Sequence, residues 1–272
     1  MNIINYLRAF YRYIKTNGKI TNLTISQIQY SSILIDKKII VTGGSEGIGF
    51  CMAKKFIALG ADVLITGRSI DKLERARKEI NSEKLHVLEW DISLSDQVES
   101  KLLEAIRILN GLDILINNAA YVAHRQSCEE FYDKMMETNL KSIYMISNYA
   151  IKFFLQDNAG VKKIINISSL NSFKDDTNPY TLSKKGVNAL TKGFAKEYAA
   201  NNIIINAIAP GYVAASINYQ NVEENAYDSR NRIKRIITPE EIAELATFLC
   251  SDAANGIVGQ VIACDGGVLI TK

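Results

Sequence analysis

Tyr180 and Lys184 stand four residues apart in "PYTLSKKG", directly after Pro179, a residue suited to the first turn of a helix. At that spacing both side chains project from one helix face, one turn apart. A lysine ammonium close to a phenol favours the phenolate and is expected to lower the tyrosine from about 10 toward neutrality. Tyr180 could then give or take a proton near physiological pH. Alone the pair says little, because many surface helices carry Y-x-x-x-K by chance. Its meaning depends on what accompanies it.

A second cluster lies in "KKIIVTGGSEGIGF", where Gly43, Gly44, Gly47 and Gly49 crowd into seven positions after an apolar run. Strand, glycine-rich turn and helix together let main-chain N–H groups and the positive end of a helix dipole face a pyrophosphate. A side chain at Gly43, Gly47 or Gly49 would block that approach, or the packing of helix on strand. The spacing is T-G-x-x-x-G-x-G, Thr42 to Gly49; the G-x-G-x-x-G spacing fails because its third position is Met52. At the end of the next apolar run, "ITGRS" puts Arg68 where an NAD site usually places an acid. A guanidinium suits the 2′-phosphate of NADP, so NADP is preferred and NAD is the alternative. A solvated arginine opening a helix is the bland reading, and Glu46 counts against a second phosphate-binding charge.

These residues need a frame. From Ile39 onward, short β-branched runs ("IIVT", "ADVLIT", "LHVLEW", "LDILIN", "VKKIINIS", "NIIINAIA", "GQVIA") alternate with helical patterns at 47–59, 69–80, 94–108, 129–157, 179–200 and 239–250. Runs that are apolar throughout suit a parallel sheet covered on both faces. The fold expected is α/β: one doubly wound, Rossmann-type domain over residues 32–272, with a seven-stranded, mostly parallel sheet and helices on both faces.

Residues 1–31 stand outside that alternation as an N-terminal helical extension. Ile3, Leu7, Phe10, Tyr11 and Ile14 recur at helical spacing, and residues 1–40 hold six basic side chains against Asp36 alone. A helix packed on the domain or on a sister subunit is the reading preferred. A basic helix on a membrane surface, through residues 1–16, and a cleaved transit peptide are the alternatives.

The chain of 272 residues, 47% hydrophobic with net charge +3, reads as a globular protein without the basic excess of a nucleic-acid binder. Cys51, Cys128, Cys250 and Cys264 are scattered, and His86 and His124 are the only histidines. No disulfide framework, histidine triad or metal site is expected, and the localisation expected is cytoplasmic. No apolar run approaches the roughly 20 residues needed to cross a bilayer. The sequons at Asn22 and Asn166 do not outweigh that reading, Asn166 lying in an expected buried strand. Trp90 is read as packing.

With the other motifs in view, the chain resembles the short-chain dehydrogenase/reductases of about 250 residues, over roughly residues 32–272. "TGGSEGIG" resembles the cofactor loop; "WDIS" supplies Asp91, and "NNAA" follows the fourth strand run. Asn139 in "ETNL", "INISS", the Tyr180–Lys184 pair, "APG" at 209–211, "TPEEIA" and "GQVIACDGG" follow in order. The resemblance implies that Ser169 bonds a substrate carbonyl, with Ser168 as fallback. It implies that Tyr180 gives the proton in reduction, Lys184 lowers its pKa and holds the nicotinamide ribose, and Asn139 orders a water relay. Cofactor contacts are implied for Gly43, Ser45, Glu46, Gly47, Ile48, Gly49, Arg68, Asp91, Ile92, Asn118, Ala119, Tyr180, Lys184, Pro210, Gly211 and Val213.

Departures from the family pattern are a Ser169–Tyr180 gap about two residues shorter than usual, Ala120 for a common glycine, and Ala215, beside Ser216, for a threonine that bonds the carboxamide. The function expected is an NADPH-dependent carbonyl reductase. The polar segment Tyr212–Arg232 over the site suggests a small or polar substrate, such as a sugar-like ketone or a 3-oxoacyl thioester. An NAD-linked secondary-alcohol dehydrogenase and a non-catalytic nucleotide-binding module are the alternatives. The resemblance also implies a homotetramer or homodimer built through helices 129–157 and 179–200.

Overall fold

The computed structural model describes residues 10, 11, 14, 33–122, 128–157, 159–214 and 225–270. Expectations for residues 1–31 lie outside these, except that Phe10, Tyr11 and Ile14 are helical and exposed.

Seven strands form one sheet in the order β3-β2-β1-β4-β5-β6-β7. They are β1 (Lys38–Thr42), β2 (Asp62–Gly67), β3 (Leu85–Glu89), β4 (Ile114–Asn117), β5 (Lys162–Ile167), β6 (Ile203–Pro210) and β7 (Val261–Cys264). Every pairing is parallel, with Val41 beside Ile65 and Ile116, and Ile116 beside Ile165. β4, β5 and β6 are buried along their whole length, which explains why these segments read as unbroken apolar runs.

The pleat sends alternate side chains into two cores. Ile39, Val41, Ile65, Ile116 and Ile165 meet α1 (Gly47–Ala58), α2 (Ile70–Ile80) and α7 (Pro239–Cys250) through Met52, Phe56, Leu73, Ile242 and Leu249. Ile40, Leu64, Leu115, Ile164 and Ile205 meet α3 (Val98–Leu109), α5 (Ser142–Gln156) and α6 (Pro179–Tyr198) through Leu102, Ile146, Phe154 and Phe194. Each such side chain, fully buried, contributes about 1.5–3 kcal/mol. Trp90, 1% exposed, packs in the second core, its indole N–H without a partner among the described residues. Asn166 is fully buried in β5, closed to glycosylation.

Helix starts follow their caps. Ser69 accepts from Lys72 N–H at α2, Asn178 accepts from Tyr180 N–H at α6, and Thr238 with Glu241 forms a capping box at α7. The helix expected over 129–157 runs unbroken from Cys128 to Gln156, as α4 (Cys128–Met136), a π-turn (Glu137–Lys141) and α5. The π-turn accommodates Asn139, whose side chain is bound outside the helix.

The strand order reverses between β1 and β4, so their carboxyl ends open a crevice at the switch point. The glycine loop, the Asn-Asn turn and the ends of β5 and β6 gather there.

Candidate active site

The glycine loop leaves β1 through Gly43 (φ +65°) and enters α1 through Gly47 (φ +59°), both left-handed. A Cβ at Gly49 would lie 2.3 Å from the Gly43 carbonyl oxygen, and one at Gly43 would lie 2.8 Å from the Ala119 Cα. Two of these glycines are therefore required by closure of the loop on itself and on the β4 end. The Asn118 amide donates to the carbonyls of Thr42 and Gly43, both at 2.9 Å. The Thr42 hydroxyl accepts from the N–H groups of Asn118 and Ala119 at 3.0 and 3.1 Å. Asn118 thus spends its amide hydrogens on the loop.

Glu46 caps α1 by position but its side chain bonds no first-turn N–H, and the first turn holds no acid. Those donors face outward at the positive end of the helix dipole, as a pyrophosphate requires. The donor set therefore fits a dinucleotide. Glu46 pairs instead with Lys72 at 2.9 Å. Arg68 is exposed at the end of β2, with no ion pair among the described residues. Asp91 is half-buried and held by Ser93, whose N–H and hydroxyl donate to one carboxylate oxygen at 3.0 and 2.7 Å. Ile92 is buried behind it.

Gly211 donates its N–H to the Cys264 carbonyl at 3.0 Å. Tyr212 stacks under the Arg230 guanidinium at 3.7 Å, and Val213 bridges to Ile237. The expectations for Ala215 and Ser216, and most of the expected lid, lie outside the described residues.

Tyr180 and Lys184 share one face of α6. The Lys184 ammonium is 1% exposed, donates to the Ile167 carbonyl at 2.7 Å and lies 5.9 Å from the Tyr180 ring centre. Burial lowers its pKa to about 8. Tyr180 departs from the sequence reading: burial raises its pKa above 10, and a side-chain hydrogen bond with Ser169 offsets part of the rise. The lysine does not lower it, because its ammonium is turned to Ile167. Tyr180 is therefore a protonated phenol at neutral pH.

Of the two serines, Ser169 is the one that acts on Tyr180, offsetting part of its rise. Ser168 turns away and donates to the Asn188 side chain at 2.6 Å. The short stretch to Tyr180 is taken up by a 3-10 turn, Leu170–Phe173, started by Ser169. Asn139 is fully buried, and its amide pairs reciprocally with the main chain of Tyr121 at 2.7 and 2.9 Å. It reaches toward Ser183 at 3.5 Å, on the Lys184 helix.

Sequence reasoning missed a buried polar chain that joins α5, β4, β5 and α6: Ser147, Asn117, Asn166 and Thr191, joined at 3.0, 2.8 and 2.9 Å. Polar residues inside apolar strand runs were its signal. Among the described residues, no group of three or more His, Cys, Asp and Glu side chains is placed to hold a metal ion, and no helix is long and apolar enough to cross a membrane.

A doubly wound sheet with a glycine loop at its switch point, and a Ser-Tyr-Lys cluster beside it, defines a nucleotide-dependent oxidoreductase. A family model described as Enoyl-(Acyl carrier protein) reductase matches residues 43–269. The 3-oxoacyl-(acyl-carrier-protein) reductase FabG of Chlamydia trachomatis serovar D is 32% identical over 250 residues, 88% of this chain and 99% of that protein. Gluconate 5-dehydrogenase of Gluconobacter oxydans is 32% identical over 244 residues, 85% of this chain and 94% of that one. A crystal structure of actinorhodin polyketide ketoreductase with NADPH matches with TM-score 0.77 and 25% identity, covering 86% and 97% of the two chains. The chain belongs to the short-chain dehydrogenase/reductase family of NAD(P)-dependent oxidoreductases.

Proposed function

We propose that this chain reduces a ketone to a secondary alcohol with NADPH. The observation that carries the reading is that Ser169, at the turn after β5, stands with Tyr180 and Lys184, which share one face of α6. A carbonyl oxygen received between the two hydroxyls would be polarised by Ser169 and protonated by Tyr180. Lys184, charged below about pH 8, would steady the nicotinamide ribose. Asn139 holds the Tyr121 turn and, through Ser183, the helix that carries the lysine. NADPH, when bound, supplies the hydride.

The N–H groups at Gly47, Ile48 and Gly49, with Ser45, would hold the pyrophosphate. Asp91 and Ile92 would meet the adenine, and Arg68 the 2′-phosphate. Ala119, Pro210, Gly211 and Val213 would line the nicotinamide end. The relatives' names support a 3-oxoacyl thioester or a sugar-like ketone as substrate, in keeping with the polar Tyr212–Arg232 segment. The exposed Glu46 at the loop favours a second reading, an NAD-linked alcohol dehydrogenase.

An apolar groove of about 490 Å³ between α4–α5 and α6, lined by Met136, Leu140, Tyr144 and Leu190, supports association of copies through these helices. We infer a cytoplasmic location.

Fluorescence titration with NADPH and NADH, on the wild type and Arg68→Ala, tests the cofactor. Preference for NADPH that is lost in the variant is expected; equal or tighter NADH binding overturns it. Tyr180→Phe should abolish turnover while leaving NADPH affinity unchanged, and retained turnover removes Tyr180 from the acid role.

A further inference from the structure

Asn188 lies one turn beyond Lys184 on the same helix and is half-buried. Its amide joins both sides of the serine pair. The carbonyl oxygen accepts from the Ser168 hydroxyl at 2.6 Å, and the NH2 donates to the Ser172 hydroxyl at 2.8 Å. Ser172 in turn donates its hydroxyl to the Ser169 carbonyl at 2.6 Å and its N–H to the same oxygen at 3.0 Å. The Asn171 N–H donates to the Ser169 hydroxyl at 3.2 Å. A closed ring therefore runs from Ser168 through Asn188 and Ser172 to Ser169. It ties the end of β5 and the 3-10 turn to the helix that carries Tyr180.

We propose that Asn188 is a positioning residue, which holds the Ser169 hydroxyl against Tyr180 by bridging Ser168 and Ser172. The shortened stretch between Ser169 and Tyr180 has little slack. A turn that drifts from α6 carries the Ser169 hydroxyl off the phenol, whereas the glycine loop lies elsewhere and is left alone. The inference rests on the reading of Ser169 and Tyr180 given above. Misplacement of a positioned group by about 1 Å can lower a rate up to a hundredfold.

The test is a double-mutant cycle on Asn188→Leu and Ser169→Ala, with acetoacetyl-coenzyme A as a 3-oxoacyl thioester probe and NADPH as reductant. Asn188→Leu alone is expected to lower kcat about tenfold, with the NADPH Kd from fluorescence unchanged. In the Ser169→Ala background the same change should alter kcat by less than about twofold, because the group it positions is gone. An equal tenfold loss in both backgrounds, or no loss in the single variant, overturns the proposal. Ser172→Ala breaks the ring at its other end and replaces Asn188→Leu in the cycle should that variant not fold.

If Tyr180→Phe keeps its activity, the reading of the site fails and not the ring. If the probe is not turned over, Tyr180 ionisation is followed by ultraviolet difference absorbance against Tyr180→Phe. Ser169→Ala and Asn188→Leu should each raise the midpoint, and the double variant no further than Ser169→Ala; additive shifts overturn the proposal.

Discussion

The Lys184 ammonium gives its hydrogen bond to the Ile167 carbonyl at 2.7 Å and lies over the Tyr180 ring, 5.9 Å from its centre. The two groups therefore titrate in separate surroundings: Lys184 loses its proton at about pH 8, and Tyr180 keeps its own beyond 10.

Reduction needs the phenol protonated and the lysine charged. The kcat/KM for reduction is expected to be flat below pH 7 and to fall about tenfold per unit above about 8, one proton being lost. A pH profile checks it. A fall that begins only above pH 10 would assign the limb to Tyr180.

Gly49→Ala places a methyl 2.3 Å from the Gly43 carbonyl oxygen, against main chain that cannot rotate aside. The variant should lose nucleotide binding by fluorescence and melt at lower temperature. Asn118→Ala removes two loop bonds without a clash and should cost about 1–3 kcal/mol, read in urea unfolding.

The buried ammonium of Lys163 closes the end of α7 by donating to the carbonyls of Leu249 and Ser251. Lys163→Met removes both bonds, Ser251 keeping only the Ala254 N–H, and should lower stability by about 1–3 kcal/mol. Burial holds the Lys163 pKa below 10.5, so between its folded and unfolded values the unfolded chain binds more protons. Stability should therefore rise with pH across that window, and part of the rise should vanish in the variant.

At α7, burial pushes the Glu241 carboxyl up, but Arg235 and the Thr238 N–H outweigh it and hold it below 4.5. The stabilisation from this group is present above pH 4.5 and lost as pH falls through the folded value. Glu241→Gln should flatten the acid limb of a thermal-melting profile, and Thr238→Ala should cost about 1 kcal/mol at any pH.

The sheet was legible because buried parallel strands write themselves as apolar runs, and helix starts because Ser69, Asn178–Pro179 and Thr238–Pro239 announce them. The π-turn was not: five residues of i→i+5 bonding in "ETNLK" carry no glycine or proline and read as ordinary helix. Spacing brought Tyr180 and Lys184 to one face, yet the sign of the Tyr180 shift depends on burial, which spacing does not report. Asn118 reads as a cofactor contact, and that its amide also holds the glycine loop is something spacing does not report. Asn188 carried a usable signal, since it continues the i, i+4 row of Tyr180 and Lys184.

The π-turn holds one residue more than an α-helical turn, so the surplus is taken up inside the bulge and the turns on either side keep their faces. Deleting one residue within Glu137–Lys141 would let the bulge relax into regular helix, leaving Ile146 and Phe154 on the sheet but drawing Asn139 off the Tyr121 main chain. The extra residue therefore serves the Tyr121 turn, and the packing of the helix does not depend on it.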